Sequence, residues 1–106
     1  MTTTVVVSYA IKPETLDEHL RLINGVFAEL DGLALPQVSY EVLQFDDGVS
    51  FMHVSTSDPA AGPNPVPELA SFKAFSAGLP GRVTGPPSPA SAHVVASYRA
   101  AGFSPI

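Results

Sequence analysis

The order in which hydrophobic periods follow one another constrains this chain more than any motif in it. Apolar residues alternate from Thr4 to Lys12, the period of a half-buried strand. They then recur every three to four residues from Thr15 to Leu30, the period of a helix facing a core. Two more alternating runs follow, Val38 to Phe45 and Val49 to Thr56. A second helical run covers Pro67 to Leu79, and a last strand is read from His93 to Arg99. The order β-α-β-β-α-β is that of the split βαβ, or ferredoxin-like, fold in the α+β class.

Local signals punctuate these runs. Pro13 closes the first strand, and Thr15 with Glu18 three residues on forms a capping-box pattern. On the first helix Leu16, Leu20, Ile23, Phe27 and Leu30 make the core stripe, with Val26 beside it. Asp17, Arg21 and Glu29 lie opposite, and Gly32 is a stop signal. Asp46-Asp47-Gly48 predicts a tight hairpin, because glycine supplies the positive φ such a turn needs. Ser57 to Pro67 and Gly85 to Ser91 are proline-rich and read as stiff, exposed loops. Asn64-Pro65 or Pro67 starts the second helix, which Gly78, Pro80 and Gly81 end.

The hairpin makes strands two and three antiparallel neighbours, and right-handed crossovers give the strand order 4-1-3-2, with both helices on one face. The first strand is apolar on both sides: Val5, Val7, Tyr9 and Ile11 one way, Val6 and Ala10 the other. Strand two puts Val38, Tyr40 and Val42 on one face, and Leu43 and Phe45 on the other. On strand three, Met52 and Val54 are expected under the helices, with Phe51, His53 and Ser55 on the far face. A sheet apolar on both faces is normally covered on both. A homodimer packed sheet to sheet is therefore expected, through the face carrying Val6, Ala10, Phe51 and His53.

The 106 residues suit a single domain, 1–106. Only 14% of residues are charged, against 45% hydrophobic. That balance leaves apolar surface for a partner to cover. A net charge of −5 with five Lys and Arg argues against nucleic acid or an anionic membrane surface as partner. With no Cys there is no thiolate chemistry, and three scattered His residues give no metal spacing. No signal peptide or membrane span is read, which places the chain in the cytoplasm by default.

His19 carries the sharpest chemical expectation. It follows Leu16 by three residues and precedes Ile23 by four, so it points at the sheet, toward Tyr9. An imidazole near its ordinary pKa of about 6.5 is a general base at neutral pH, and Tyr9 would orient a substrate hydroxyl. A buried, hydrogen-bonded structural histidine is the competing reading. His53 is the second choice as base, set against a polar residue of the dimer seam. His93, after the second proline-rich loop, is read as a surface residue. Phe72, Phe75 and Leu79, with Met52, would wall an aromatic-ligand pocket or simply form core. Arg82 follows the second helix, where a cation offsets the helix dipole or anchors an anion.

Three blocks carry a resemblance: Ser8-Tyr9-Ala10-Ile11-Lys12-Pro13-Glu14 leading into the first helix, Val38-Ser39-Tyr40-Glu41-Val42, and Leu69-Ala70-Ser71-Phe72-Lys73-Ala74-Phe75. With the element order, they make the chain resemble the dimeric α/β-barrel superfamily, in particular its antibiotic biosynthesis monooxygenase-like group. The resemblance implies a dimer in which two sheets close into a barrel. It also implies binding, or oxidation with molecular oxygen and no cofactor, of an aromatic or polyketide-like phenol. The alternative is a non-catalytic dimeric interaction domain. The chain departs from the group's pattern in two places. Relatives often carry a Trp at the end of strand three, where this chain has Thr56-Ser57-Asp58 and no Trp at all, a departure that counts against an active oxygenase. Val7 stands about where the haem-degrading branch has Asn.

Overall fold

The computed structural model describes residues 2–98. Its elements are β1 (Thr3–Ala10), α1 (Leu16–Leu33), β2 (Val38–Gln44), β3 (Ser50–Ser57), α2 (Ala70–Ala77), α3 (Leu79–Arg82) and β4 (Ser88–Ala92). The sheet order is β2-β3-β1-β4, the expected 4-1-3-2 read from the other edge, and each neighbouring pair is antiparallel. Ile23 and Val26 of α1 and Phe75 of α2 meet Tyr9, Ile11 and Phe51 in one core cluster, so both helices cover the same face.

Register corrects the faces of β3. Tyr9 pairs with Phe51, and Val7 and Val42 both pair with His53. Directly paired residues share a face, so Phe51 and His53 lie under the helices with Tyr9. Met52, paired with Ser8 and Leu43, and Val54, paired with Val6, lie on the open face. The expected assignment was the reverse. Both parities of this strand are apolar, so alternation alone does not choose between them. Filling the space beneath two helices favours the larger ring, and Phe51 is only 1% exposed. The face left open is thus built from Val6, Ala10, Leu43, Met52 and Val54, with Leu43 47% exposed.

The helix ends also differ from their sequence signals. Pro13–Thr15 forms a 3-10 turn, and the Thr15 hydroxyl donates backward to the Lys12 carbonyl instead of capping α1. Gly32 stays helical. The stop comes at Ala34, in the left-handed conformation at φ 51°, whose N–H donates to the Leu30 carbonyl. Glu29 is not a solvent-facing residue alone. Its carboxylate accepts from the Ser71 backbone N–H at 3.0 Å and the Ser71 hydroxyl at 2.5 Å, which satisfies a free amide at the start of α2. These bonds hold the Glu29 carboxyl below its usual pKa.

The hairpin is as expected. Gly48 has φ 79°, and the Asp47 carboxylate accepts from the Val49 and Ser50 amides and from the Ser50 hydroxyl. The loop after β3 is less irregular than its prolines predict. It contains 3-10 turns at Pro59–Ala61 and Val66–Glu68, and Val66 is buried. The second helix begins only at Ala70 and breaks at Gly78. One further turn, α3, follows, with Pro80 in its first positions, where a missing N–H costs nothing.

The last strand corrects the expectation most. It is Ser88–Ala92, all but its last residue inside the segment read as loop, and His93 to Tyr98 lie beyond it; Arg99 lies outside the described residues. Backbone geometry explains the choice. The Lys12 N–H donates to the Arg82 carbonyl and the Thr84 N–H to the Ala10 carbonyl, on either side of an Ile11–Val83 bridge. The chain leaves that bridge beside β1 and turns at once onto its free edge. Pro89, opposite Val7, is tolerated because β4 is an edge strand.

Candidate functional site

The pairing of Val7 with His53 and Tyr9 with Phe51, together with the buried line His19–Ile23–Val26 on α1, brings Tyr9 between two histidines. The Tyr9 hydroxyl lies 2.8 Å from His19 Nε2 and 2.5 Å from His53 Nε2. His53 Nδ1 is 2.6 Å from the Tyr40 hydroxyl. At the other end, Arg82 Nε donates to His19 Nδ1 at 3.0 Å, and Nη2 donates to the Phe75 carbonyl at 2.8 Å. A continuous chain results, Arg82–His19–Tyr9–His53–Tyr40, contributed by α3, α1, β1, β3 and β2. Rings pack around it. Phe51 stacks on Tyr9 at 5.8 Å, His19 meets Phe51 edge-on at 4.7 Å, and Arg82 lies over Phe75 at 5.2 Å.

Burial sets the electrostatics. It lowers His19 to about 4, with the Arg82 cation adding to the effect. It lowers His53 to about 4, with His19 adding. Burial pushes the Tyr9 phenol above its ordinary range, Tyr40 adding and Arg82 opposing, and raises Tyr40 to about 12. At neutral pH both imidazoles are therefore neutral and both phenols protonated. Arg82 is 4% exposed, and among the described residues no carboxylate pairs with it. Burial lowers its pKa, against the pull of Glu18 and Tyr9, and its partners are a ring nitrogen and a carbonyl.

A cavity of about 260 Å³ opens on this chain. Tyr9, Tyr40 and His53 border it, and Val7, Val66, Phe72, Phe75 and Leu79 supply apolar wall. It lies between the sheet, α2 and the loop before α2, and no α1 residue lines it. The late start of α2 explains the space. Val66 and Pro67 stand over the sheet where a longer helix would have packed, while α1 sits tight against Phe51 and Phe75.

No family model matches the sequence, and no curated protein matches it either. Solved structures match its fold. Rv0793 from Mycobacterium tuberculosis superposes with a TM-score of 0.74 at 11% identity, over 93% of this chain and 100% of its own. The crystal structure of an antibiotic biosynthesis monooxygenase gives 0.72 at 14% identity, over 89% and 99%. A candidate antibiotic biosynthesis monooxygenase from Bacteroides thetaiotaomicron gives 0.75 at 14% identity, over 90% of each chain. The chain has the fold of the antibiotic biosynthesis monooxygenase-like proteins.

Identities this low carry the fold and no residue roles. Within this monooxygenase-like fold, the expected site residues divide. Tyr9, Phe72, Phe75 and Leu79 border the cavity, and all four also pack in or against the core cluster. His53 borders it too, and so belongs to the helix side and not to the open sheet face. His19 is fully buried behind Tyr9 and reaches the cavity only through that hydroxyl. Met52 lies on the open face, away from the pocket. His93 is exposed, and no cluster of metal-ligating groups occurs among the described residues. Tyr40 is not among the residues the sequence marks as a site, and Arg82 is marked there only as a helix-end cation or an anion anchor. Tyr40 was legible as a face-mate of Val42. Arg82 is buried, not a surface cation at a helix end, and only Gly78 four residues earlier hints at its path.

Proposed function

We propose that the chain binds a small planar aromatic compound bearing an oxygen, with its rings against Phe72, Phe75 and Leu79 and its oxygen at Tyr9, Tyr40 and His53. The observation that carries this reading is the cavity itself. Its walls are mostly apolar, and three of its polar side chains, Tyr9, Tyr40 and His53, are joined by hydrogen bonds into one cluster that orients a ligand's oxygen; Ser55, Asn64 and Ser76 are its other polar lining residues. A dry cavity of about 150 Å³ accepts benzene, and drug-sized sites begin near 300 Å³. At about 260 Å³ the space is matched to one or two fused rings.

Cofactor-free oxygenation of such a phenol is the catalytic form of this reading, supported by the fold likeness. The imidazoles limit it. A base held near pKa 4 is a weak proton acceptor at pH 7, so turnover favours a substrate that arrives ionised. The open sheet face of Val6, Leu43, Met52 and Val54 supports a homodimer closed sheet to sheet, and burying an interface of more than ~1,200 Å² there would make it stable. A thermal-shift screen with naphthols, hydroxyquinolines and naphthoquinones tests the binding reading, with oxygen uptake measured on each compound that binds. A rise in Tm with two-ring compounds is expected. No shift across the panel overturns it.

A further inference from the structure

We propose that Arg82 sets a single direction for the buried hydrogen-bond chain, so that the cavity offers a hydrogen and selects ligands that present an acceptor oxygen. The inference deepens the reading above and rests on its cavity. It follows from counting hydrogens. A guanidinium has donors only, so His19 Nδ1 must accept from Arg82 Nε. A neutral His19 then carries its hydrogen on Nε2, where its partner is the Tyr9 oxygen. The Tyr9 hydrogen goes on to His53 Nε2, and the His53 hydrogen, on Nδ1, to the Tyr40 oxygen.

Four hydrogen bonds join these five groups, and each group brings one hydrogen to the chain. One hydrogen is left over, and it resides on a tyrosine hydroxyl. The alternative has both histidines donating to Tyr9, which would strand the Tyr9 hydrogen in a group only 8% exposed. An unmade bond at a buried donor is the costlier error. The surplus therefore falls to Tyr40, the less buried phenol. Its oxygen lies against the His53 ring at the cavity, and its hydrogen has no acceptor among the described residues.

A ketone, quinone or phenolate oxygen completes this chain; a hydrocarbon does not. Arg82 acts as a positioning residue. It touches no ligand, and it works through the tautomers of His19 and His53. The closing experiment uses the full chain and has two arms. The first is 15N NMR of the histidine side chains near pH 7. The two rings are expected in opposite tautomers, His19 with hydrogen on Nε2 and His53 with hydrogen on Nδ1. Arg82→Met should release the His19 preference and Arg82→Lys restore it, whereas a merely structural arginine would leave the ring shifts of any folded variant unchanged.

The second arm compares 1-tetralone with tetralin, a ketone and its oxygen-free counterpart. Tetralone should bind about tenfold more tightly, the value of one net hydrogen bond, and Tyr40→Phe should erase the difference. Like tautomers on both rings, or equal binding of the two compounds, overturns the proposal. If neither compound binds, the cavity reading and the ligand class both fail, and the NMR arm still decides the direction of the chain.

Discussion

Gly78 lies so close to Arg82 that a β-carbon added to it would stand 2.7 Å from Nη1. The backbone there is ordinary, at φ −94°, so nothing but space requires glycine. An arginine tip usually moves aside at little cost. This one is held by His19, the Phe75 carbonyl and the Phe75 ring. Gly78→Ala should therefore lose stability by about 1–3 kcal/mol, the range for overpacking, although alanine elsewhere near a helix gains up to about 1 kcal/mol. Urea denaturation checks it. Combining it with Arg82→Met should cost less than the sum of the two changes, since the clash then has no partner. Simple additivity would show that the guanidinium yields freely.

The two faces of β3 predict two different failures. Phe51 is buried against Tyr9 and His19, so Phe51→Ala should cost about 3–5 kcal/mol and Phe51→Asp should unfold the chain. Met52→Asp, one residue along, changes only the open face. It should leave the far-ultraviolet dichroism intact while halving the mass seen by light scattering, as a sheet-to-sheet dimer requires. A folded Phe51→Asp dimer would contradict the register. A Met52→Asp variant that stays dimeric would move the interface elsewhere.

Acid should weaken the fold well before the carboxylates protonate. His19 and His53 titrate near 6.5 when unfolded and are lowered to about 4 in the native chain. The unfolded state then binds more protons than the native state between those values. Stability is complete above pH 6.5 and falls as the pH drops toward 4, by at most about 1.4 kcal/mol per pH unit for each histidine. The two share Tyr9 and repel when both are charged, so the protons enter as a coupled pair. Urea midpoints at pH 7.5 and 5.0 measure the loss. A variant with both histidines replaced by glutamine should show a flat profile over that range, and equal midpoints in the native chain would mean the rings are not held neutral.

The convergence of His19 on Tyr9 was legible because both periods are local. Ile11 alternates with Tyr9, and Ile23 and Val26 sit one and two turns beyond His19. The place of His53 was not, because Phe51 and Met52 satisfy the alternation equally, and only pairing with β1 chooses between them. Arg82 enters through contacts 63 residues away in sequence, which no period encodes. The fourth strand was hidden for a third reason. Pro87 and Pro89 argue against a strand, and Val94-Val95 imitate one, yet the edge beside β1 is taken by the first chain that reaches it. Local chemistry thus marked the elements, and tertiary competition settled which of them met.

Filling the cavity separates binding from folding. Val7 lies on β1 at the cavity wall, half-buried, with its neighbour His53 bonded to Tyr9 and Tyr40. A phenylalanine suits a strand, and its added volume, on the order of 50 Å³, has an empty space of about 260 Å³ to enter. Overpacking is harmful where side chains must be displaced, and the cavity beside Val7 offers room instead. Val7→Phe should keep or slightly raise Tm, because the added ring covers apolar cavity wall that water otherwise reaches. The same change should reduce affinity for a two-ring ligand at least tenfold, since the remaining volume no longer admits both rings. Calorimetric titration with a naphthol that binds the native chain, alongside a melting curve, tests both halves. A variant that melts normally and still binds as tightly would place the ligand outside this cavity.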